Sequence, residues 1–312
     1  MRIAIVGSGG LGGYFGARLA AGGADVHFMA RGAHLAAMRK DGLAIEGGAD
    51  PIHLTHVSAT DDPRTIGTAD LVLIAVKLWD TAAALEQIRP LVGPETTLIS
   101  CQNGVLKDIY LRAAYPATQI MGGVAYVATT IDRPGVIRQT GPMQRLVFGE
   151  FDGTRSALAE RFLAACQRGR IAAELSASIE REIWQKFVFL VALSGTTTTM
   201  RSTIGPIREN KATRAFLLDV MREVVAVARA RGVELPADYA EQRLRLADDV
   251  AWDMTSSMHH DLQRGNRLEV QWLSGGVVKL GSEVGVPTPL NRAIADILAL
   301  YAEGPPKSGS RA

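Results

Sequence analysis

Three glycines, one arginine and two lysines carry the chemical signal of this chain. Residues 1–16 read M-R-I-A-I-V-G-S-G-G-L-G-G-Y-F-G, so Gly7, Gly9 and Gly12 follow the apolar run Ile3 to Val6 and precede a helix-compatible segment, Tyr14 to Ala21. Strand, glycine turn and helix in that order open a dinucleotide-binding βαβ unit. The first glycine permits the tight turn, the second lets a pyrophosphate approach the backbone, and the third lets helix and strand pack closely. The helix N-terminus adds free N–H groups and a positive dipole end. Gly7, Ser8, Gly9, Gly10, Leu11 and Gly12 are therefore the candidate cradle for a cofactor.

The second strand, Ala24 to Ala30, ends at Arg31-Gly32. An NAD-specific site commonly holds an acid there for the ribose 2′-hydroxyl. A guanidinium fork suits a 2′-phosphate instead, so NADP(H) is the expected cofactor. An ordinary solvated arginine is the plain alternative. Ala69 to Lys77 and Thr96 to Ser100 are near-continuous apolar runs, as parallel strands buried on both faces require. They lead into Lys77 and into Cys101-Gln102-Asn103-Gly104, at the carboxyl edge where open α/β sheets bind ligands. Residue type alone leaves Lys77 open as a solvated strand end and Asn103-Gly104 as a turn.

Lys186 is the most informative residue of the second half. It lies in I-W-Q-K-F-V-F-L-V-A-L-S, and no charge follows until Arg201. A lysine on a mostly buried helix is costly unless paired or functional. Desolvation lowers a lysine pKa toward the range useful to a general acid. Leu190 and Ser194 share its helix face. A snorkelling lysine is the competing account. Thr255, Ser256, Ser257, Met258 and Asp261 form another polar cluster, whose hydroxyls either cap a helix or bind a carboxylate. Glu269 opens an apolar segment, as a first-turn acid or as a group facing a cleft. Adjacent His259 and His260 diverge by about 100° on a helix and do not make a metal pair. No zinc spacing and no G-x-S-x-G elbow occurs, so no metal is expected.

These residues need two kinds of scaffold. The first part alternates short apolar runs with helical segments, including short strands at Gly42 to Glu46 and Ile52 to Ser58. From Ile120 to Glu150 it turns β-rich, with hairpin-like strands that could extend the sheet at one edge. Ser156 to Cys166 reads as a helix and Ile171 to Leu175 as a last strand. After residue 177 long helical periods take over: Ile179 to Ser194, Ala212 to Ala230, Tyr239 to Met254 and Glu269 to Val284. The expected class is α/β: an N-terminal Rossmann-type doubly wound sheet over 1–176 and an all-helical C-terminal domain over 177–303, with a disordered tail from Gly304 to Ala312.

The 312-residue length suits two domains. A net charge of +2 gives no general drive toward nucleic acid or anionic membrane. The apolar start is too short for a signal peptide, and Phe187 to Met200 falls short of the ~20 residues of a membrane span. Cys101 and Cys166 lie far apart and read as buried, reduced thiols. A cytoplasmic protein acting on a small molecule follows as the expectation, with a homodimer left open.

The chain resembles the ketopantoate reductase family (2-dehydropantoate 2-reductase) nearly end to end. The resemblance is carried by Gly7 to Gly12, Arg31-Gly32, Val76-Lys77, Gln102-Asn103-Gly104 and Trp184-Gln185-Lys186. It continues through Ser256-Ser257-Met258-His259-His260-Asp261, Glu269 and Gly285-Val286-Pro287-Thr288-Pro289. It implies NADPH-dependent reduction of a 2-keto acid, with the site between two domains. Lys186 would be the general acid. Asn103 would touch cofactor and substrate, Ser257 would bind substrate, and Glu269 would orient the substrate or nicotinamide end. Arg31 and Lys77 would hold the adenosine phosphate side, and Ala128 is a cofactor candidate by position. The family often has asparagines where this chain has Leu190 and Ser194, a glutamine at Asp80 and an asparagine at Met254. Ser194 keeps part of an amide's hydrogen bonding and stays a substrate candidate. Two other readings remain: reduction of another branched or hydrophobic 2-keto acid, and a non-catalytic NADP(H)-binding regulator.

Overall fold

The computed structural model describes residues 1–306. They form two compact units: Met1–Asn103 with Lys107–Glu182, and Gly104–Leu106 with the chain from Ile183 onward. The first unit begins β1 (Arg2–Val6), α1 (Gly10–Ala21), β2 (Asp25–Met29), α2 (Gly32–Asp41), β3 (Leu43–Glu46), β4 (Ile52–Leu54) and β5 (Ser58–Thr60). It continues with β6 (Leu71–Ile74), α3 (Thr81–Gln87), β7 (Thr97–Ser100), α4 (Leu106–Ala114), β8 (Ile120–Arg133), β9 (Val136–Glu150), α5 (Ala157–Arg168) and β10 (Ala172–Leu175).

All ten strands join one sheet. Its core, in the spatial order β5-β2-β1-β6-β7-β8, is parallel throughout. This is the doubly wound order in which the chain reverses direction beside β1, and the crevice lies at the carboxyl ends of β1 and β6. Alternate residues of these strands feed opposite faces. Ile3, Ile5, Leu71 and Leu73 pack with Tyr14, Phe15 and Leu19 of α1 and Phe162 of α5. Ala4, Val6, Val72 and Ile74 pack with Leu85 of α3 and Leu111 of α4 on the other side.

Two details differ from the sequence expectation. The β8–β9 hairpin does not form an edge: β9 pairs onward in parallel with β3 near Val136–Arg138 and with β10 near Arg145–Phe148. At fifteen residues β9 is long enough to hold two further strands side by side on one margin. Residues Ile52 to Ser58 are not one strand: β4 and β5 lie at opposite ends of the strand order. Both cysteines are buried free thiols, and burial, with Cys101 nearby, pushes the Cys166 thiol up.

The second unit takes α6 (Ile179–Met200, which starts within the first), α7 (Ile204–Glu209), α8 (Lys211–Ala230), α9 (Tyr239–Asp249), α10 (Ser257–Gln263), α11 (Ser274–Glu283) and α12 (Pro289–Leu298). It is helical throughout its described residues. Helix α6 runs on past Ser194 through a threonine run in which the Oγ1 atoms of Thr196, Thr197 and Thr199 donate to the carbonyls of Ala192, Leu193 and Gly195, so these three hydroxyls are accommodated within the helix. Helix α8 buries Leu217, Val220, Met221 and Val224 and packs on α9, α11 and α12. Its Glu223 accepts hydrogen bonds from the N–H groups of Leu290 and Asn291, capping α12 from a neighbouring helix. The segment from Glu269 is not one helix; a 3-10 turn, Glu269–Gln271, precedes α11. Of the tail expected to be disordered, Gly304 is buried, and residues 307–312 lie outside the described residues. No helix among the described residues is long and apolar enough to cross a membrane.

Candidate functional site

The glycine turn is built by close approach between β1 and β6. Gly7 has φ +93°, and a Cβ there would lie 2.7 Å from the Val76 nitrogen. A Cβ on Gly12 would lie 2.2 Å from the Gly7 carbonyl oxygen, so α1 can begin directly over the turn only with glycine there. Gly9 behaves differently: a Cβ on it would meet nothing within 4 Å. As the N-cap of α1 it contributes no capping side chain, and the first turn holds no acid. Open space over half-buried backbone at a positive helix end is what a dinucleotide pyrophosphate requires, so the residues present fit that group. Gly12→Ala is expected to abolish detectable binding of the dinucleotide and to cost about 1–3 kcal/mol of stability, since a backbone oxygen must move. Isothermal titration calorimetry and thermal melts check both.

Ser8 is buried, and its Oγ donates to the Met29 carbonyl at 2.9 Å, tying the turn to the end of β2. His34 fastens it from a second side. The Gly135 N–H donates to His34 Nδ1 at 3.1 Å, so Nε2 carries the proton and donates to the Ser8 carbonyl at 2.8 Å. Burial holds the His34 pKa below its ordinary value, against the opposing Ser8 hydrogen bond. The neutral ring is the form that folds, so its stabilisation is complete above about pH 6.5 and declines as pH falls through the lowered folded value. Replacing His34 with glutamine is expected to flatten the fall in melting temperature between neutral and mildly acidic buffer. Nothing in sequence spacing announced His34, because its partners lie 26 and 101 residues away.

Around the same carboxyl edge, Arg31 is the N-cap of α2 and is exposed, with its Nη2 3.2 Å from Asp80 Oδ2. Lys77 is exposed at the start of the 3-10 turn Leu78–Asp80, its Nζ 5.5 Å from the centroid of Trp79. Ala128 falls inside β8, at a register shift between Val127 and Thr129. Thr129 is the residue whose carbonyl a Cβ on Gly10 would strike, at 2.5 Å. A bulge thus abuts the glycine turn. Gln102, quoted above without a role, joins the loops after β6 and β7: its Nε2 donates to the Val76 carbonyl and to Thr81 Oγ1, both at 2.8 Å. Asn103 follows it, half-buried.

In the second unit, Lys186 is half-buried on α6, with Ile183, Trp184, Phe187 and Val188 buried around it. Trp184 and Phe187 stack edge to face at 5.6 Å. Leu190, one turn on, is half-buried, and Ser194 is buried with its Oγ lacking a hydrogen-bond partner. Ser256 caps α10, accepting from the His259 N–H at 3.1 Å, whereas Ser257 is exposed. The two hydroxyls differ: that of Ser256 caps, and that of Ser257 belongs to an exposed residue. Glu269 is buried on its 3-10 turn. His259 Nδ1 bonds the Thr197 carbonyl and His260 Nε2 bonds Thr255 Oγ1, so both rings have structural work.

A Rossmann-type sheet with a glycine turn at the N-terminus of α1, followed by an all-helical unit, places the chain in the class of Rossmann-type dinucleotide-binding folds. The family model described as "Ketopantoate reductase PanE/ApbA" matches residues 3–153, and its C-terminal counterpart matches 178–302. The chain belongs to the ketopantoate reductase family. It is 33% identical to a 2-dehydropantoate 2-reductase of Mesorhizobium japonicum, over 97% of this chain and 98% of that one. It is 30% identical to an uncharacterized oxidoreductase of Bacillus subtilis, covering 96% and 99%. The crystal structure of 2-dehydropantoate 2-reductase from Geobacter metallireducens superposes with a TM-score of 0.89 at 29% identity, covering 96% and 99%.

Proposed function

We propose that this protein is an NADPH-dependent reductase of 2-keto acids whose substrate is 2-dehydropantoate (ketopantoate), giving pantoate. The observation that carries the proposal is the finished cradle at Gly7 to Gly12, open at Gly9, in a chain whose helical unit supplies Lys186. NADPH bound there supplies the hydride that reduces the C2 carbonyl. The backbone of Gly7 to Gly12 would hold the pyrophosphate, while Arg31 and Lys77 would bind the adenosine phosphate side. Ala128 would line the same groove. The Lys186 ammonium donates a proton to the carbonyl oxygen as the alkoxide forms, and regains it from solvent. Asn103, Ser194 and Ser257 would hydrogen-bond the substrate, and Asn103 and Glu269 would orient it against the nicotinamide end.

Leu190 favours a second reading. One helical turn from Lys186, it presents an aliphatic side chain where an amide would serve a polar substrate, and a buried polar group facing it would lose about 1–3 kcal/mol. Another branched or hydrophobic 2-keto acid then becomes the preferred substrate. Steady-state kcat/KM over a panel of 2-keto acids decides: ketopantoate is expected to lead, and a hydrophobic keto acid exceeding it tenfold or more would replace it.

A further inference from the structure

The ion pair between Arg31 and Asp80 joins the end of β2 to the turn after β6, across 49 residues of sequence. Asp80 is placed to cap α3, yet its carboxylate makes no capping hydrogen bond and turns to the guanidinium at 3.2 Å. Arg31 is 87% exposed on its side chain and Asp80 35%, so the pair is solvated and breakable. The sheet thus brings a carboxylate to the cation expected to receive a 2′-phosphate.

We infer that Asp80 is a specificity-determining residue for the dinucleotide, offsetting Arg31 and lowering the preference for NADPH over NADH. The inference rests on the NADP(H) assignment proposed above. A 2′-phosphate seated on Arg31 must displace Asp80 or sit within a few ångströms of it, and like charges that close repel well inside the Debye length. A ribose 2′-hydroxyl carries no such penalty. A carboxylate is also the acceptor such a hydroxyl uses at the end of a second strand. Here the acceptor arrives from a different strand, so the same guanidinium–carboxylate pair serves both cofactors.

The test measures dissociation constants of NADPH and NADH, without keto acid, by fluorescence titration of the wild-type chain, Asp80→Asn, Asp80→Ser and Arg31→Ala. Both Asp80 variants are expected to raise the NADH-to-NADPH ratio of dissociation constants about tenfold, mainly by tightening NADPH, with a gain that shrinks as salt is added. Two variants are used so that one misfolded protein decides nothing; a capping role would lower the melting temperature without moving the ratio. If Arg31→Ala weakens NADPH selectively while both Asp80 variants leave the ratio within twofold, the inference is overturned and the cofactor assignment stands. If Arg31→Ala leaves the ratio unchanged, both fall together.

Discussion

Lys186→Ala is expected to lower kcat with a 2-keto acid about 10²- to 10⁴-fold while leaving the dissociation constant of NADPH within about twofold. The split follows from placement. Lys186 is on α6 in the helical unit, whereas the residues that build the glycine cradle belong to the first unit. Lys186→Arg separates two contributions: it keeps a positive charge but holds its proton too tightly to donate near neutral pH. A general acid predicts that arginine rescues little of kcat, and a purely electrostatic anchor predicts that it rescues most. Rapid-mixing measurement of NADPH oxidation, beside equilibrium cofactor titration, reads both quantities.

The largest expected effect on stability is at Lys107, which the catalytic assignment does not use. Its side chain is 1% exposed, and its Nζ donates to both carboxylate oxygens of Asp108, at 2.8 and 2.9 Å. Burial holds the Asp108 carboxyl above its ordinary range despite Lys107. Lys107→Met strands that carboxylate and is expected to cost about 3–5 kcal/mol, or roughly 10 °C in melting temperature. With Lys107 gone, burial outweighs the remaining attraction of Arg112 and Asp108 folds protonated, while the unfolded chain ionises it above about pH 3.9. Folding of the variant therefore takes up a proton, so the deficit relative to wild type widens as pH rises and narrows in acid. Adding Asp108→Leu to Lys107→Met is expected to recover most of the loss, because the pair is then replaced by apolar groups. Melts of the wild type and the two variants across pH test this directly.

The parts legible in sequence are those set by local pattern. Ile3 to Val6 and the run ending at Ile74 are apolar enough to be strands buried on both faces, and Gly7, Gly9 and Gly12 gain their meaning from standing between a strand and a helix. The helical second unit followed from long apolar periods. Helix α2 escaped because Leu35 and Met38 are its only buried residues, too few to mark a face. Helix α12 is capped by Glu223 from α8, a partner no local window contains. The margin of the sheet was illegible for a similar reason: which neighbours β9 takes depends on its length and on β3 and β10 arriving there. At the candidate site, residue types named Arg31, Lys77 and Lys186. His34, Gln102 and the Arg31–Asp80 pair exist as features only once distant loops meet.

In the proposed reaction the glycine turn holds a dinucleotide, Arg31 selects the phosphorylated one, and Lys186 protonates the carbonyl that it reduces. All three claims meet in one assay, the oxidation of NADPH by the purified chain in the presence and absence of ketopantoate. Stoichiometric, ketopantoate-dependent formation of NADP⁺ and pantoate is the predicted result. Saturable binding of NADPH with no turnover on ketopantoate or any other 2-keto acid would contradict it.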